Sequence, residues 1–236
     1  SLENIRISPL SRAYTFSDGV YEVIPFINKS PIALDLHINR LINSSSALSL
    51  NIDIDKLYFE INKLINVASF KNGYIYYQIS RGIDSLRNHI HKKDIKHEYF
   101  GYVSNLKKQS SHLTIKLCED IRWKRCDIKT ISLLGNVIQM NKAANEGCDE
   151  ILMFHDGKIT EGGSSNVFIS DGNVISTPKE DSNILPGITR KLFIDELKKN
   201  QIPFEERDIY IKEIEEASTI WLSSSLKGLL PVKKIV

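Results

Sequence analysis

The sequence predicts a mixed α/β (α+β) fold in two domains, and three observations support this prediction. Runs of β-branched and aromatic residues alternate with segments whose apolar residues recur at helical spacing. A polar stretch, NLKKQSS at 105–111, lacks apolar periodicity and separates two such regions. The 236 residues, 42% of them hydrophobic, are enough for two ordinary cores. We therefore expect an N-terminal α/β domain over 1–104, a linker over 105–112 and a larger C-terminal domain over 113–236.

The first half alternates strands with two amphipathic helices. One helix follows a turn at Asn28–Pro31 and begins near Asp35, whose carboxylate can cap free backbone N–H groups. The other covers about Asp55–Ala68 and has leucine and isoleucine on one face. Residues 1–12 look like a polar lead-in. Strands are expected at Ala13–Phe16, Val20–Ile27, Tyr74–Gly82 and Glu98–Ser104.

The second half is rich in hairpin signals. Asp156-Gly157 and Asp171-Gly172 each stand between two short β-rich runs, and Asp-Gly favours the turn that joins antiparallel strands. A helix is predicted from about Leu133 to Glu146, ending at Gly147, and another over roughly Ile188–Asn200. Further elements are expected as strands at Leu113–Cys118, Thr219–Leu222 and Leu229–Val232 and a helix at Glu213–Ala217.

Charge, hydropathy and cysteine content argue against several function classes. Lys and Arg number 31 against 29 Asp and Glu, a formal net charge of +2, so no nucleic-acid partner is expected. No apolar run approaches the roughly 20 residues that span a bilayer, and the first residues lack the apolar core of a secretory signal. Cys118, Cys126 and Cys148 are an odd number without metal-site spacing, which indicates reduced thiols in a cytoplasmic protein and no metal centre.

Three polar segments could bind an anion. LPGITR at 185–190 places a helix start after Pro-Gly, where free backbone N–H groups attract anions, and Thr189 could add a hydroxyl. Ser223–Ser225 lies between two predicted strands, and Arg40 lies on the first helix. Taken alone, each is better explained as a plain helix entry, a polar turn or a surface arginine.

Two further segments could bind charged parts of a ligand. Glu161, in TEGGSSN at 160–166, could pair with a protonated ring nitrogen if the flanking strands hold its carboxylate. A solvated loop glutamate explains it equally well. Arg87 and His89 would lie on the same side of an extended segment, where guanidinium and imidazole suit a carboxylate. A solvated loop is the better explanation of that pair taken alone.

Six motifs occur in one order along nearly the whole chain. They are SDGVYEV (17–23), HINRL (37–41), SRGIDSLRNH (80–89), LLGNV (133–137), TEGGSSNVF (160–168) and LPGITR (185–190). Together they resemble the class IV (fold type IV) pyridoxal-phosphate aminotransferases. EDIRWKRCDIK at 119–129 and the Arg-x-His pair are most similar to the bacterial D-amino-acid aminotransferase branch, whereas SSSLKGLLPV is somewhat closer to the aminodeoxychorismate lyases.

The resemblance implies a cofactor, pyridoxal or pyridoxamine phosphate, at the interface of a small N-terminal and a larger C-terminal domain. It implies that Glu161 hydrogen-bonds the pyridine nitrogen, which strengthens the electron sink, and that Leu185 lies against the ring. The Arg-His loop commonly reaches the neighbouring subunit in this family, so a homodimer is implied. The other implied roles are phosphate binding by Arg40, Ile188, Thr189, Ser224 and Ser225, and binding of the substrate carboxylate by Tyr21, Arg87 and His89.

One position departs from the family pattern. We align the family's Schiff-base lysine with Met140, because LLGNV before it and EGC after it leave no gap. Lys142, two residues further on, would point roughly 200° away around a helix. A thioether can neither form a Schiff base nor carry a proton at neutral pH. The cofactor is therefore expected to bind non-covalently.

The predicted function is transfer of an amino group from an amino acid to a 2-oxo acid by an enzyme of the D-amino-acid aminotransferase type. Met140 leaves two alternatives open. One is a lysine-less relative that binds the cofactor without transaminase activity. The other is an enzyme similar to aminodeoxychorismate lyase.

Overall fold

The computed structural model describes residues 5–106 and 110–236, so part of the lead-in and the centre of the predicted linker lie outside the described residues. The chain divides into two compact units. Unit 1 comprises Ser1–Leu106 with Ile128–Ser132, and unit 2 comprises Lys107–Asp127 with Leu133–Val236. The division between 106 and 107 falls within the predicted linker, which is shared between the two units, and a five-residue segment of the second half belongs to unit 1.

Unit 1 is built on an antiparallel sheet of four strands in the order β2-β1-β3-β4. Its core is formed by alternate residues of the long strands, which face two helices. Ile128 joins this core, and Val20 forms a β-bridge with Thr130. The elements are α1 (Arg12–Phe16), β1 (Gly19–Ile27), β2 (Ser30–Pro31), α2 (Leu34–Ala47), α3 (Ile54–Val67), β3 (Gly73–Ser80) and β4 (Glu98–Asn105).

Two local predictions in unit 1 are wrong. Ala13–Phe16 was expected to be a strand but lies in α1, where the N–H groups of Tyr14 and Thr15 both bond the carbonyl of Ser11. Asp35 does not cap α2, which begins after Ala33, a residue in the left-handed conformation with φ 50°. The Asp35 carboxylate instead accepts a hydrogen bond from the Tyr58 hydroxyl at 2.8 Å.

Unit 2 contains a mixed sheet of eight strands in the order β10-β9-β8-β11-β12-β5-β6-β7. Three neighbouring pairs are parallel, namely β5 with β6, β5 with β12 and β9 with β10. The elements are β5 (Leu113–Glu119), α4 (Leu134–Asn145), β6 (Glu150–His155), β7 (Lys158–Gly162), β8 (Asn166–Ser170), β9 (Ile175–Thr177), α5 (Ile188–Lys199), β10 (Phe204–Glu206), α6 (Ile211–Glu216), β11 (Thr219–Ser224) and β12 (Gly228–Ile235).

The predicted turns and helix ends of unit 2 are confirmed. Asp156 and Gly157 both have positive φ, 51° and 74°, as the tight turn between β6 and β7 requires. Gly147 ends α4 with φ 78°. Helix α4 is the crossover between the parallel strands β5 and β6, and it packs on β6. Within the described ranges, no helix combines the length and apolar character needed to cross a membrane.

Candidate active site

Glu161 is the centre of a buried polar cluster in unit 2. It lies on β7 and is only 5% exposed, so the solvated-loop explanation is wrong. Its Oε1 accepts a hydrogen bond from Nη1 of Arg122 at 2.5 Å. Its Oε2 accepts from Nδ2 of Asn166 at 3.0 Å and from the backbone N–H of Leu185 at 3.1 Å. Donors from three segments therefore fix the orientation of this carboxylate.

Arg122 joins Glu161 to a second carboxylate. Its Nε and Nη2 donate to the two oxygens of Asp120 at 2.9 and 2.7 Å. Asp120 is held in turn by the hydroxyl of Thr160 at 2.8 Å. Burial alone would raise the pKa of Asp120, but the hydrogen bonds and charge of Arg122 hold it below its ordinary value. Burial raises the pKa of Glu161 to about 7, against the opposing attraction of Arg122.

The start of α5 lies beside this cluster. The Nδ2 of Asn166 also donates to the carbonyl of Leu185 at 2.9 Å, and its Oδ1 contacts the position that a Cβ on Gly187 would take. Gly187 is the N-cap and supplies no side-chain cap to the free N–H groups that follow. Ile188 is buried and Thr189 is half-buried. Glu161 and the helix start are thus linked through one side chain, that of Asn166.

The serine segment of β11 adjoins the same residue, because Ser223 pairs with Asn166 across the two strands. The Oγ of Ser223 is buried and has no hydrogen-bond partner among the described residues. Ser224 and Ser225 follow it at the end of the strand and are half-buried. An unpaired buried hydroxyl next to an uncapped helix start has the donors and the polarity that a phosphate group needs. The unit 2 residues therefore fit a phosphate-bearing pyridine cofactor.

Met140 occupies a different kind of environment. It packs against an apolar cluster formed by Ala143, Cys148, Ile151 and Met153. A Cβ on Gly163 would lie 2.6 Å from the sulfur of Met140 and 2.8 Å from Oε1 of Glu150. Met140 therefore contacts this apolar cluster and lies next to the turn that follows β7.

Arg40 in unit 1 is buried and is hydrogen-bonded to an acidic residue. Its Nε and Nη2 donate to the two carboxylate oxygens of Glu22 at 2.7 and 2.9 Å, and Nδ1 of His37 lies 2.8 Å from the same carboxylate. Burial alone would raise the pKa of Glu22, but Arg40 and His37 lower it to about 2. The surface-arginine explanation is therefore wrong.

Arg87 and His89 are exposed and are brought together on one aromatic ring. The guanidinium of Arg87 lies 4.7 Å from the centroid of Phe16, and the ring of His89 lies 5.3 Å from the same centroid. Arg12, which is buried, donates from Nη1 to the carbonyl of Asn88 at 2.7 Å and from Nη2 to that of His89 at 3.2 Å. Helix α1 therefore anchors the Arg-His loop.

Tyr21 lies next to Lys129, to which the sequence motifs assign no role. The Nζ of Lys129 lies 4.3 Å from the centroid of the Tyr21 ring, and the N–H of Tyr21 donates to the carbonyl of Lys129 at 3.0 Å. The lysine is half-buried, and no described residue accepts a hydrogen bond from its ammonium or forms an ion pair with it. Lys129 is the last residue of the EDIRWKRCDIK segment.

Comparisons with known proteins identify the family of the chain. The sequence pattern of the family described as amino-transferase class IV matches residues 19–235. A D-alanine aminotransferase of Listeria monocytogenes is 34% identical over 243 residues, with 99% of this chain and 83% of the relative covered. A D-alanine aminotransferase of Bacillus licheniformis is 32% identical, with 95% and 81% covered.

Solved structures show the same fold. A branched-chain amino acid aminotransferase of Escherichia coli matches with a TM-score of 0.90 at 20% identity, covering 99% of this chain and 82% of that one. A putative 4-amino-4-deoxychorismate lyase of Legionella pneumophila matches with a TM-score of 0.89 at 24% identity, covering 98% and 88%. Together with the match to the family pattern and the full-length curated relatives, this establishes that the chain belongs to the class IV aminotransferase family.

Proposed function

We propose that this protein is a pyridoxal-phosphate-dependent aminotransferase that moves the amino group of a D-amino acid, such as D-alanine, to a 2-oxo acid. The buried Glu161 cluster, in a chain of this family, is the observation that carries the proposal. The curated relatives named D-alanine aminotransferase favour this function over that of a deoxychorismate lyase. Similarity to the lyase structure is below 25% identity and concerns the fold alone.

Unit 2 would hold the cofactor ring and its phosphate. When bound, pyridoxal phosphate supplies an electron sink for the bonds at the amino acid's Cα. Glu161 would accept a hydrogen bond from the protonated ring nitrogen, and Leu185 would contact the ring. The backbone N–H groups of Ile188 and Thr189 would bind the phosphate. Ser224 and Ser225 would add hydroxyl donors beside them.

In unit 1, Arg40 is proposed as a further phosphate ligand, with its guanidinium positioned by Glu22. A fixed guanidinium suits a phosphate because its donors need no reorganisation on binding. Tyr21, Arg87 and His89 are proposed to bind the substrate carboxylate. The exposure of the Arg-His loop is consistent with a homodimer in which the loop serves the neighbouring subunit. The cysteines, all free thiols, are consistent with a cytoplasmic location.

The amine that attaches the cofactor is proposed to be Lys129. Met140 at the Schiff-base position, with non-covalent binding of the cofactor, stays the prediction from the gapless alignment, and attachment at Lys129 would exclude it. No carboxylate among the described residues pairs with the ammonium of Lys129, which lies next to Tyr21, a proposed substrate ligand. A lysine amine can both attach the cofactor and carry a proton, which the thioether of Met140 cannot do.

The test is to load the purified protein with pyridoxal phosphate and to measure pyruvate formed from D-alanine in the presence of a 2-oxo acid. L-Alanine is the matched control substrate. We expect turnover on the order of 1–10³ per second with the D-enantiomer. A protein that binds the cofactor but forms no 2-oxo acid from either enantiomer would support the alternative of a binding protein without transaminase activity.

A further inference from the structure

We propose that Arg122 is a positioning residue that keeps the carboxyl group of Glu161 ionised. Its guanidinium does so while it is hydrogen-bonded to both Glu161 and Asp120. The inference rests on the proposed function, in which Glu161 faces the ring nitrogen of the cofactor. Nothing in the sequence motifs assigns a role to Arg122.

All three nitrogens of the Arg122 guanidinium donate hydrogen bonds to fixed acceptors. Its side chain is 8% exposed. In addition to its bonds to Glu161 and Asp120, its Nη2 donates to the carbonyl of Asn183 at 3.1 Å. Asp120 cannot follow a moving arginine, because the hydroxyl of Thr160 holds its Oδ2. The charge next to Glu161 is therefore a fixed property of the fold.

The cluster has one more negative than positive charge when both carboxylates are ionised. Asp120 and Glu161 each carry a negative charge, and Arg122 supplies the single positive one. Cys126, on the same loop, stays a neutral thiol because burial raises its pKa to about 12. An excess charge buried in a protein is unfavourable unless a partner neutralises it. A ring nitrogen that carries a proton would be that partner.

Removing the guanidinium changes which form of Glu161 is stable. Burial raises the pKa of Glu161, and Arg122 opposes this increase. Without Arg122, burial acts together with the repulsion of Asp120, so the pKa of Glu161 rises further. The carboxyl group of Glu161 that faces the ring nitrogen is then neutral. A neutral carboxyl group no longer favours the protonated ring over the unprotonated one. Arg122 thereby controls the strength of the electron sink without contacting the cofactor.

The first experiment needs no cofactor. The carboxyl carbons of glutamate are labelled with ¹³C, and the resonance of Glu161, identified by its loss in Glu161→Gln, is followed against pH in the apoprotein. We expect a midpoint near pH 7 in the native protein. The midpoint should be raised in Arg122→Gln and near the native value in Arg122→Lys, which keeps the positive charge. An unchanged midpoint in Arg122→Gln would overturn the proposal.

Two further variants control for folding. Arg207→Gln removes an arginine that pairs with two surface carboxylates, those of Glu205 and Glu213, and it should leave the Glu161 midpoint unchanged. If Arg122→Gln does not fold, the double variant Asp120→Asn with Arg122→Gln removes both partners of the ion pair. Its midpoint should still rise, because the guanidinium that bonds Glu161 is gone while the carboxylate stays buried. A native midpoint in the folded double variant would also overturn the proposal.

The second experiment separates this inference from the proposed function. Calorimetry compares the binding of pyridoxamine 5′-phosphate with that of its deaza analogue, in which C–H replaces the ring nitrogen. The native protein should prefer the nitrogen ring by roughly 10–100-fold, the value of a hydrogen bond to a charged group. In Arg122→Gln the neutral carboxylic acid can still donate a hydrogen bond to the ring nitrogen, so the preference should fall to that of a neutral hydrogen bond, roughly 2–10-fold. An equal reduction in Arg207→Gln would contradict the inference. If the native protein binds neither ring, the proposed function fails, whereas the apoprotein titration still decides the role of Arg122.

Discussion

Replacing Glu161 by glutamine should change how the stability of the apoprotein depends on pH. Glu161 is buried, and its pKa is raised from 4.5 to about 7. The folded protein therefore binds the Glu161 proton more tightly than the unfolded chain does. This contribution to the free energy of unfolding is fully present below about pH 4.5 and is lost as the pH rises through 7.

The expected magnitude follows from the size of the shift. One pKa unit corresponds to about 1.4 kcal/mol, so the stabilisation lost across this interval is roughly 3 kcal/mol. Glutamine has no proton to lose and keeps nearly the same shape. The difference in unfolding free energy, Glu161→Gln minus native, should therefore become more positive by roughly 3 kcal/mol between pH 4.5 and pH 8.

Urea unfolding of the two apoproteins at several pH values measures this difference directly. Glu213→Gln is a suitable control, because the hydrogen bond from Arg207 lowers the pKa of Glu213, so its effect with pH should be smaller and of opposite sign. A stability difference between Glu161→Gln and native protein that is constant from pH 4.5 to 8 would refute the assignment of a buried, proton-binding carboxylate.

Three further predictions concern the helix start, the serine segment and the Arg-His loop. Gly187→Ala should weaken cofactor binding roughly tenfold, because its Cβ would displace the Asn166 amide that bonds Glu161; unchanged binding would contradict that contact. Ser223→Ala should lower the affinity for pyridoxamine phosphate about fivefold but leave that for dephosphorylated pyridoxamine unchanged, since its free hydroxyl is expected to serve the phosphate. Arg12→Gln should raise KM for D-alanine about tenfold with little change in kcat, because it releases the carbonyl of His89; steady-state kinetics decide this, and a loss confined to kcat would oppose it.

Local chemistry made much of unit 2 predictable. The Asp-Gly turns, the glycine after α4 and the start of α5 all depend on residues within a few positions of one another. Helix α1 was missed because its environment is non-local. Its Arg12 pairs with Asp18 and bonds carbonyls about 76 residues away, which no short pattern reveals.

The site shows the same limit. Glu161 was identified from its turn, but Arg122, its ion-pair partner, lies 39 positions earlier in the chain. Lys129 was overlooked because nothing in its sequence neighbourhood shows that its backbone pairs with the start of β1. Only the folded structure distinguishes a lysine without an anionic partner from one held in an ion pair. The gapless alignment predicts that Met140 takes the Schiff-base position, but it does not give the direction of its side chain.

The most direct test of the account is to locate the covalent attachment of the cofactor. The protein is loaded with pyridoxal phosphate, reduced with borohydride, digested and analysed by mass spectrometry. We predict that the added mass lies on Lys129, that it disappears in Lys129→Ala, and that it is retained in Met140→Leu. Bound cofactor without any covalent mass would contradict the account and support the Met140 assignment, and labelling of Lys142 would contradict both.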